Sequence, residues 1–368
     1  MEAGHKGGGM GNYTIAVIPG DGVGKEVVDE GIRVMETLGV QVPNLAFAFV
    51  RFDWGSEYYF RNGRMMPEDA LETLATFDAI YLGAVGDPRL PDHVTLQGLL
   101  LPIRRAFDQY VNVRPAILYE GIESPLRGKK PGDIDMLVVR ENTEGEYSDI
   151  GGRVYQGSAR EVVVQGAMFT RWGTERIIRY AFDLARQRPR KHLTSITKSN
   201  AQRHSMVFWD EVFRAVAKDY PDVQTDSQLV DAACLNFVLR PERFDVVVAS
   251  NLFGDILTDL SAALVGGLGI APAANLNPSR QHPSMFEPVH GSAPDIAGQG
   301  IANPLASILT AGMMLDFLHE QTAANYINRA VAQLLAERKV RTPDLGGHAT
   351  TRQVGDEVIR AVQTLQSQ

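Results

Sequence analysis

Cysteine is nearly absent: Cys234 stands alone among 368 residues. With no second thiol, no intramolecular disulfide forms and no oxidising compartment is implied. An excess of positive charge is missing too. Lys and Arg total 36 against 44 Asp and Glu, a net charge of −8, so the chain as a whole attracts neither nucleic acid nor an anionic membrane. There is no run of about 18 apolar residues to span a bilayer. The N-terminal stretch MEAGHKGGGMGN lacks the apolar centre of a signal peptide and reads as a disordered tail over residues 1–12. There is no HExxH and no cysteine pair, which argues against zinc. No repeat of fixed period is visible. These absences leave a soluble cytoplasmic protein as the expectation. Hydrophobic residues at 44% and charged residues at 22% fit a globular chain with a large core, and the length suggests two domains.

Short apolar or β-branched runs alternate with longer helical patterns. Strands are expected at 14–18, 79–83, 136–140, 193–197 and 245–249. Helices are expected at 25–38, 174–187, 205–219, 253–264, 305–318 and 354–365. Such alternation means an α/β protein with a mostly parallel sheet and helices on both faces. Residues 150–170 break the pattern with Gly-rich turns, a Val162–Val164 run and no helix. They read as a hairpin or extended arm. It is either an ordinary surface hairpin or an edge that a partner subunit covers.

The richest segment is Phe286–Pro304, FEPVHGSAPDIAGQGIANP. Gly and Pro punctuate it throughout, so it is a loop whose backbone can approach a ligand closely. Asp295 lies in its middle. A carboxylate facing a ribose accepts from both hydroxyls and repels a 2′-phosphate, so a dinucleotide bound here would be NAD rather than NADP. His290 and Gly291 belong to the same loop; a lone His in a packed role is the plainer alternative.

Other motifs carry weaker chemistry. IPGDGVGKE at 18–26 fails both the dinucleotide fingerprint and the phosphate-loop pattern by one residue of spacing, and Glu26 stands where the latter needs a hydroxyl. A tight strand-to-helix turn is the better reading. Arg104, Arg105, Arg114 and Arg140 suit a di- or tricarboxylate, because guanidinium forks match carboxylates; solvated or salt-bridged arginines are the alternative. Tyr147 in RENTEGEYS is a candidate general acid. Lys198 follows a strand and is a candidate base once neutral. Asp255 and Asp259 share one helical face, where like charges call for a hard cation with oxygen ligands; Ile256, Leu257, Leu260 and Leu264 occupy the rest of that helix and are expected to be buried. Asp231, in the apolar context LVDAAC, is the candidate third ligand.

Taken in order, IPGDGVGKE, VNVRP, RENTEGEYS, TKSN, NLFGDILTD and FEPVHGSAPDIAGQGIANP make the chain, from Tyr13 to its end, resemble the β-decarboxylating dehydrogenases of isocitrate, isopropylmalate, homoisocitrate, D-malate and tartrate. FDWGSEYY, MMPED, PDHVTLQGLLLPIRR, FDQYVNVRP and PSMFEPVHGSAPD point to the tartrate and D-malate branch. Isocitrate enzymes of this family carry a hydroxyl and an amide near the start of the helix before the Arg pair to hold their extra carboxylate; here that region, TLQGLLLPI at 95–103, is mostly apolar, which disfavours isocitrate. Isopropylmalate stays open.

The resemblance implies an isocitrate/isopropylmalate dehydrogenase-like fold, with two α/β domains sharing a central sheet and a dimerisation arm. Residues 13–109 and 266–368 would form a discontinuous cofactor domain, and 110–265 a central dimerisation domain. It implies NAD contacts at His290, Gly291, Ser292, Asp295, Ile296 and Asn303, and carboxylate binding by Arg104, Arg114 and Arg140. Asp231, Asp255 and Asp259 would hold Mn²⁺ or Mg²⁺, with K⁺ a further candidate activator. Lys198 would be the base and Tyr147 the acid, with Lys198 and Asp231 acting across a homodimer on a dicarboxylate. The alternatives are a 3-isopropylmalate dehydrogenase and a non-catalytic dicarboxylate-binding relative; the latter finds every catalytic position filled.

Overall fold

The computed structural model describes residues 11–366, so the N-terminal tail expected at 1–12 falls almost wholly outside the described residues. The chain forms two compact units. One runs up to Phe107, takes in Tyr119–Glu123 and resumes at Gly266; the other comprises Asp108–Leu118 and Ser124–Val265.

In the first unit the strands lie in the order Ala46–Arg51, Asn12–Gly20, Ala79–Ala84, Ser284–Pro288, Pro272–Leu276. All neighbours are parallel except the last pair. Ala79–Ala84 is buried along its whole length, as a central parallel strand covered on both faces must be. Helix Gly24–Gln41 buries Val27, Val28, Gly31, Val34, Met35 and Leu38, the three-and-four spacing of one apolar face. It stops at Val42 because Pro43 forces its predecessor into extended backbone. Helix Leu305–Phe317 is buried nearly all round and forms the middle of this unit's core.

In the second unit the order is Val111–Ile117, Asp135–Glu141, Val246–Ala249, His192–Thr197, Gln224–Leu229. The first pair is antiparallel and the rest parallel. The expected strands and helices are present with ends moved by a few residues. The sequence reading did not single out the strands at 46–51, 111–117, 224–229, 272–276 and 284–288. Ala46–Arg51 and Gln224–Leu229 are edge strands, half exposed, so their apolar signal is diluted. Residues 150–170 form an antiparallel hairpin, Gly151–Val154 with Val162–Gln165. Its four valines are all exposed, Val163 at 64%.

Candidate active site

Two features of the second unit bring charge to the carboxyl ends of its strands. Parallel pairing sets Arg140 beside Ala249. Helix Asn251–Leu264 starts just beyond Ala249, so its first turns rise next to Arg140, where open α/β sheets place their ligands. Gly254 makes that approach possible, since a Cβ there would sit 2.7 Å from the Cβ and Cγ of Arg140.

The buried Arg140 guanidinium donates from Nε and Nη2 to Asn251 Oδ1, at 3.0 and 2.7 Å, and from Nη1 to Asp255 Oδ1. Tyr147 donates its hydroxyl to Asp255 Oδ2 at 2.7 Å, and its ring lies 5.1 Å from the Arg140 guanidinium. Arg114 donates to Thr258 Oγ1 at 2.8 Å and stands 3.7 and 3.8 Å from Asp255 and Asp259. Arg114, Arg140, Tyr147, Asp255 and Asp259 are therefore brought together. Asp259 keeps its side chain 64% exposed. Partial desolvation raises its carboxyl above the usual range, Arg114 opposes the shift, and neighbouring Asp255 adds to it. Two hard carboxylates flanked by guanidinium groups fit a Mg²⁺ or Mn²⁺ ion with an anionic substrate.

Two positions depart from their expected settings. Asp231, expected in an apolar context, has a side chain 65% exposed. Of the apolar residues on its helix, Ala233 is buried, while Leu235 and Leu239 are exposed. Ile256, expected to be buried, is 52% exposed on the same kind of face, while Leu257 and Leu264 are buried. Asp231 accepts from Lys198 Nζ at 2.6 Å, and this ammonium holds its carboxyl below the usual range. Among the described residues, no group of three His, Cys, Asp or Glu side chains stands close enough to hold a metal. Within one chain Asp231 does not join Asp255 and Asp259.

Arg104 belongs to the first unit, where it is buried and pairs with Glu287 Oε1 at 2.5 Å. Asn275 donates to the same oxygen at 2.8 Å. The leucines of TLQGLLLPI have a structural explanation: Leu99 and Leu100 fill the core of that unit and Leu96 packs against it. Their apolar character therefore does not demand an apolar substrate.

The loop after strand Ser284–Pro288 runs to helix Leu305–Phe317. Ser292 is buried and its carbonyl accepts from Val23 N at 2.9 Å. Ile296 packs with Val23, Val27 and Ala302. Asn303 accepts from Leu305 N at 3.0 Å and donates to Asp344 at 2.9 Å, tying the helix start to the 342–346 turn. Asp295 is exposed. Nothing lies within 4 Å of a Cβ added at Gly291. His290 Nδ1 donates to the Gly291 carbonyl at 2.9 Å, so Nε2 is the acceptor, and it is buried without a partner. Burial pushes this imidazole below its usual range, keeping it neutral. An orphaned acceptor, an open glycine and an exposed carboxylate fit a nucleotide carrying amino and ribose hydroxyl donors.

Sequence reasoning did not single out Asn251, Thr258 and Glu287, which orient the three arginines. Asn251 and Thr258 lie within NLFGDILTD, four before and three after Asp255, a spacing that places them near one face. Glu287 carries no local signal.

The chain is similar to known proteins over nearly its whole length. A family profile described as isocitrate/isopropylmalate dehydrogenase matches residues 14–358. The D-malate dehydrogenase [decarboxylating] of Escherichia coli K12 is 56% identical over 360 residues, 96% of this chain and 99% of the relative. The tartrate dehydrogenase/decarboxylase of Pseudomonas putida is 53% identical over 352 residues, 94% and 96% respectively. Among solved structures, an isocitrate dehydrogenase from Methylococcus capsulatus superposes with a TM-score of 0.87 at 36% identity, covering 95% of this chain and 99% of that one.

Proposed function

The chain belongs to the isocitrate/isopropylmalate dehydrogenase family, and from that premise we propose that it is a decarboxylating dehydrogenase of the D-malate/tartrate type, linked to NAD and dependent on a divalent metal. The observation that carries this reading is the convergence of Arg114, Arg140 and Tyr147 on the Asp255–Asp259 pair. Cationic forks there match a dicarboxylate, and a hydroxyl stands ready to exchange a proton.

Mg²⁺ or Mn²⁺ held by Asp255 and Asp259, with Asp231 supplied by a second copy, would acidify the C2 hydroxyl and stabilise charge on its oxygen. Arg114 and Arg140 hold carboxylates; Arg104 takes the same role by exchanging Glu287 for substrate. Lys198 of the second copy removes the hydroxyl proton. NAD⁺ would be held on its adenosine side by His290, Gly291, Ser292, Asp295, Ile296 and Asn303, with Asp295 selecting against a 2′-phosphate, and would supply the hydride acceptor for C2. The β-keto acid loses CO₂, and Tyr147 delivers a proton to C3. D-Malate yields pyruvate. The hairpin at 150–170 and the exposed Leu235, Leu239 and Ile256 suit the homodimer that this scheme needs. A single cysteine and the absence of a membrane-crossing helix among the described residues agree with a cytoplasmic setting. Activation by K⁺ belongs to the same proposal.

One panel tests the reading: NAD⁺ and NADP⁺, with and without Mn²⁺ or Mg²⁺, against D-malate, both tartrate forms, 3-isopropylmalate and isocitrate. NAD⁺-dependent, metal-dependent turnover of D-malate or tartrate is the expected result. A preference for 3-isopropylmalate would replace the substrate assignment, and a preference for NADP⁺ would remove the role given to Asp295.

A further inference from the structure

The motif IPGDGVGKE falls short of both phosphate-binding patterns, and its Glu26 is unused by the chemistry above. In the structure Glu26 opens helix Gly24–Gln41 and reaches into the loop assigned to the cofactor. Its two oxygens accept from two backbone amides, Gly298 N at 2.5 Å and Gly300 N at 2.9 Å. Both glycines have positive φ, +79° and +65°, backbone that L side chains rarely adopt. The same motif grips the other end of that loop: Val23 N donates to the Ser292 carbonyl, and a Cβ on Gly22 would strike the same oxygen at 2.0 Å. Asp295 lies between these two anchor points.

We propose that Glu26 is a positioning residue for the dinucleotide: its carboxylate holds the Gly298–Gly300 turn so that the 291–303 segment is already in binding form before NAD⁺ arrives. The proposal rests on the cofactor reading above. A carboxylate accepting two amide bonds is a strong restraint, and a loop left free to leave its competent form lowers apparent affinity by the fraction of time it is absent. Glu26 touches neither substrate nor cofactor; it acts through the loop. Gln in its place keeps one acceptor and turns an NH₂ toward a glycine N–H, whereas Ala removes both bonds.

The test uses the full chain, titrated with NAD⁺ alone by calorimetry and followed by amide hydrogen exchange. Glu26→Ala is expected to weaken NAD⁺ binding by about tenfold or more, Glu26→Gln by less. Exchange at Gly298 and Gly300 is expected to quicken in both, and KM for NAD⁺ to rise well above any change in KM for the hydroxy acid. Glu36→Gln, an exposed change on the same helix, serves as control and leaves NAD⁺ affinity unchanged. Unaltered NAD⁺ affinity in Glu26→Ala, or unaltered exchange at the two glycines, would overturn the proposal. So would a large fall in Tm with NAD⁺ and substrate binding weakened alike, which marks a merely structural role. If the unmodified protein binds no NAD⁺, the cofactor reading fails and the positioning role with it. Faster exchange in the variants would still separate that outcome from failure of the Glu26 clamp.

Discussion

Asp255 divides its two carboxylate oxygens between Arg140 and Tyr147. The two bonds fix the orientation of the carboxylate and hold the phenol against it. Lys198 is differently placed, on a part-exposed ion pair with Asp231. Such a surface pair contributes little to stability. Replacing the lysine should therefore affect chemistry far more than folding. Lys198→Ala is expected to lower kcat by about 10²–10⁴-fold with Tm almost unchanged; steady-state kinetics beside a melting curve checks both. Full turnover in that variant would sink the assignment of Lys198 as base.

The helix Asn251–Leu264 and the strand Asp135–Glu141 work as a pair. Gly254 lets the helix close on Arg140, so Gly254→Ala should overpack the contact at a cost of about 1–3 kcal/mol. It should also raise KM for the hydroxy acid, because Arg140 must shift; chemical denaturation and substrate titration read the two effects. Glu141, the last residue of that strand, is buried and accepts from Thr143 N and Oγ1 at 2.9 Å and from Glu144 N at 2.8 Å. Burial wins over these bonds and pushes its carboxyl up to about 7. The native state then binds the proton more tightly than the unfolded chain, so stability present below about pH 4.5 is lost as pH rises through about 7. The loss is on the order of 3 kcal/mol at most. Between pH 5 and pH 8, Tm should fall more in the wild type than in Glu141→Gln. Parallel Tm profiles for the two proteins would refute this.

At the scale of the whole molecule, the proposed metal ligands do not meet within one chain, and several apolar side chains of that chain lie exposed. Asp231 stands apart from Asp255 and Asp259, and Leu235, Leu239, Ile256 and the hairpin valines face outward. A second copy would cover the apolar surface and complete the set of carboxylates. Val163→Asp, a charge in the middle of the hairpin, should shift the protein toward monomer in sedimentation and abolish turnover, leaving each chain folded by circular dichroism. An active monomer would contradict the shared-site scheme.

Much of this protein is written in short stretches of chain. The Gly- and Pro-rich loop, which starts only after strand Ser284–Pro288 rather than at Phe286, the Asp255–Asp259 spacing and the strand-then-helix rhythm are local, because Gly and Pro punctuation and the 2.0 and 3.6 periods act within a few residues. The ordered motifs also carry the family. Burial was less legible: Ile256 reads as core from its apolar character, yet it is 52% exposed, since hydropathy does not say which partner covers a residue. The same limit applied to TLQGLLLPI, whose leucines lie in the core of the first unit. Only the tertiary structure decided that Asp255 meets Arg140 and Tyr147, which stand 115 and 108 positions from it in sequence. That meeting depends on the register of two parallel strands, Arg140 beside Ala249. Register follows from the packing of whole sheet faces, which no single segment contains.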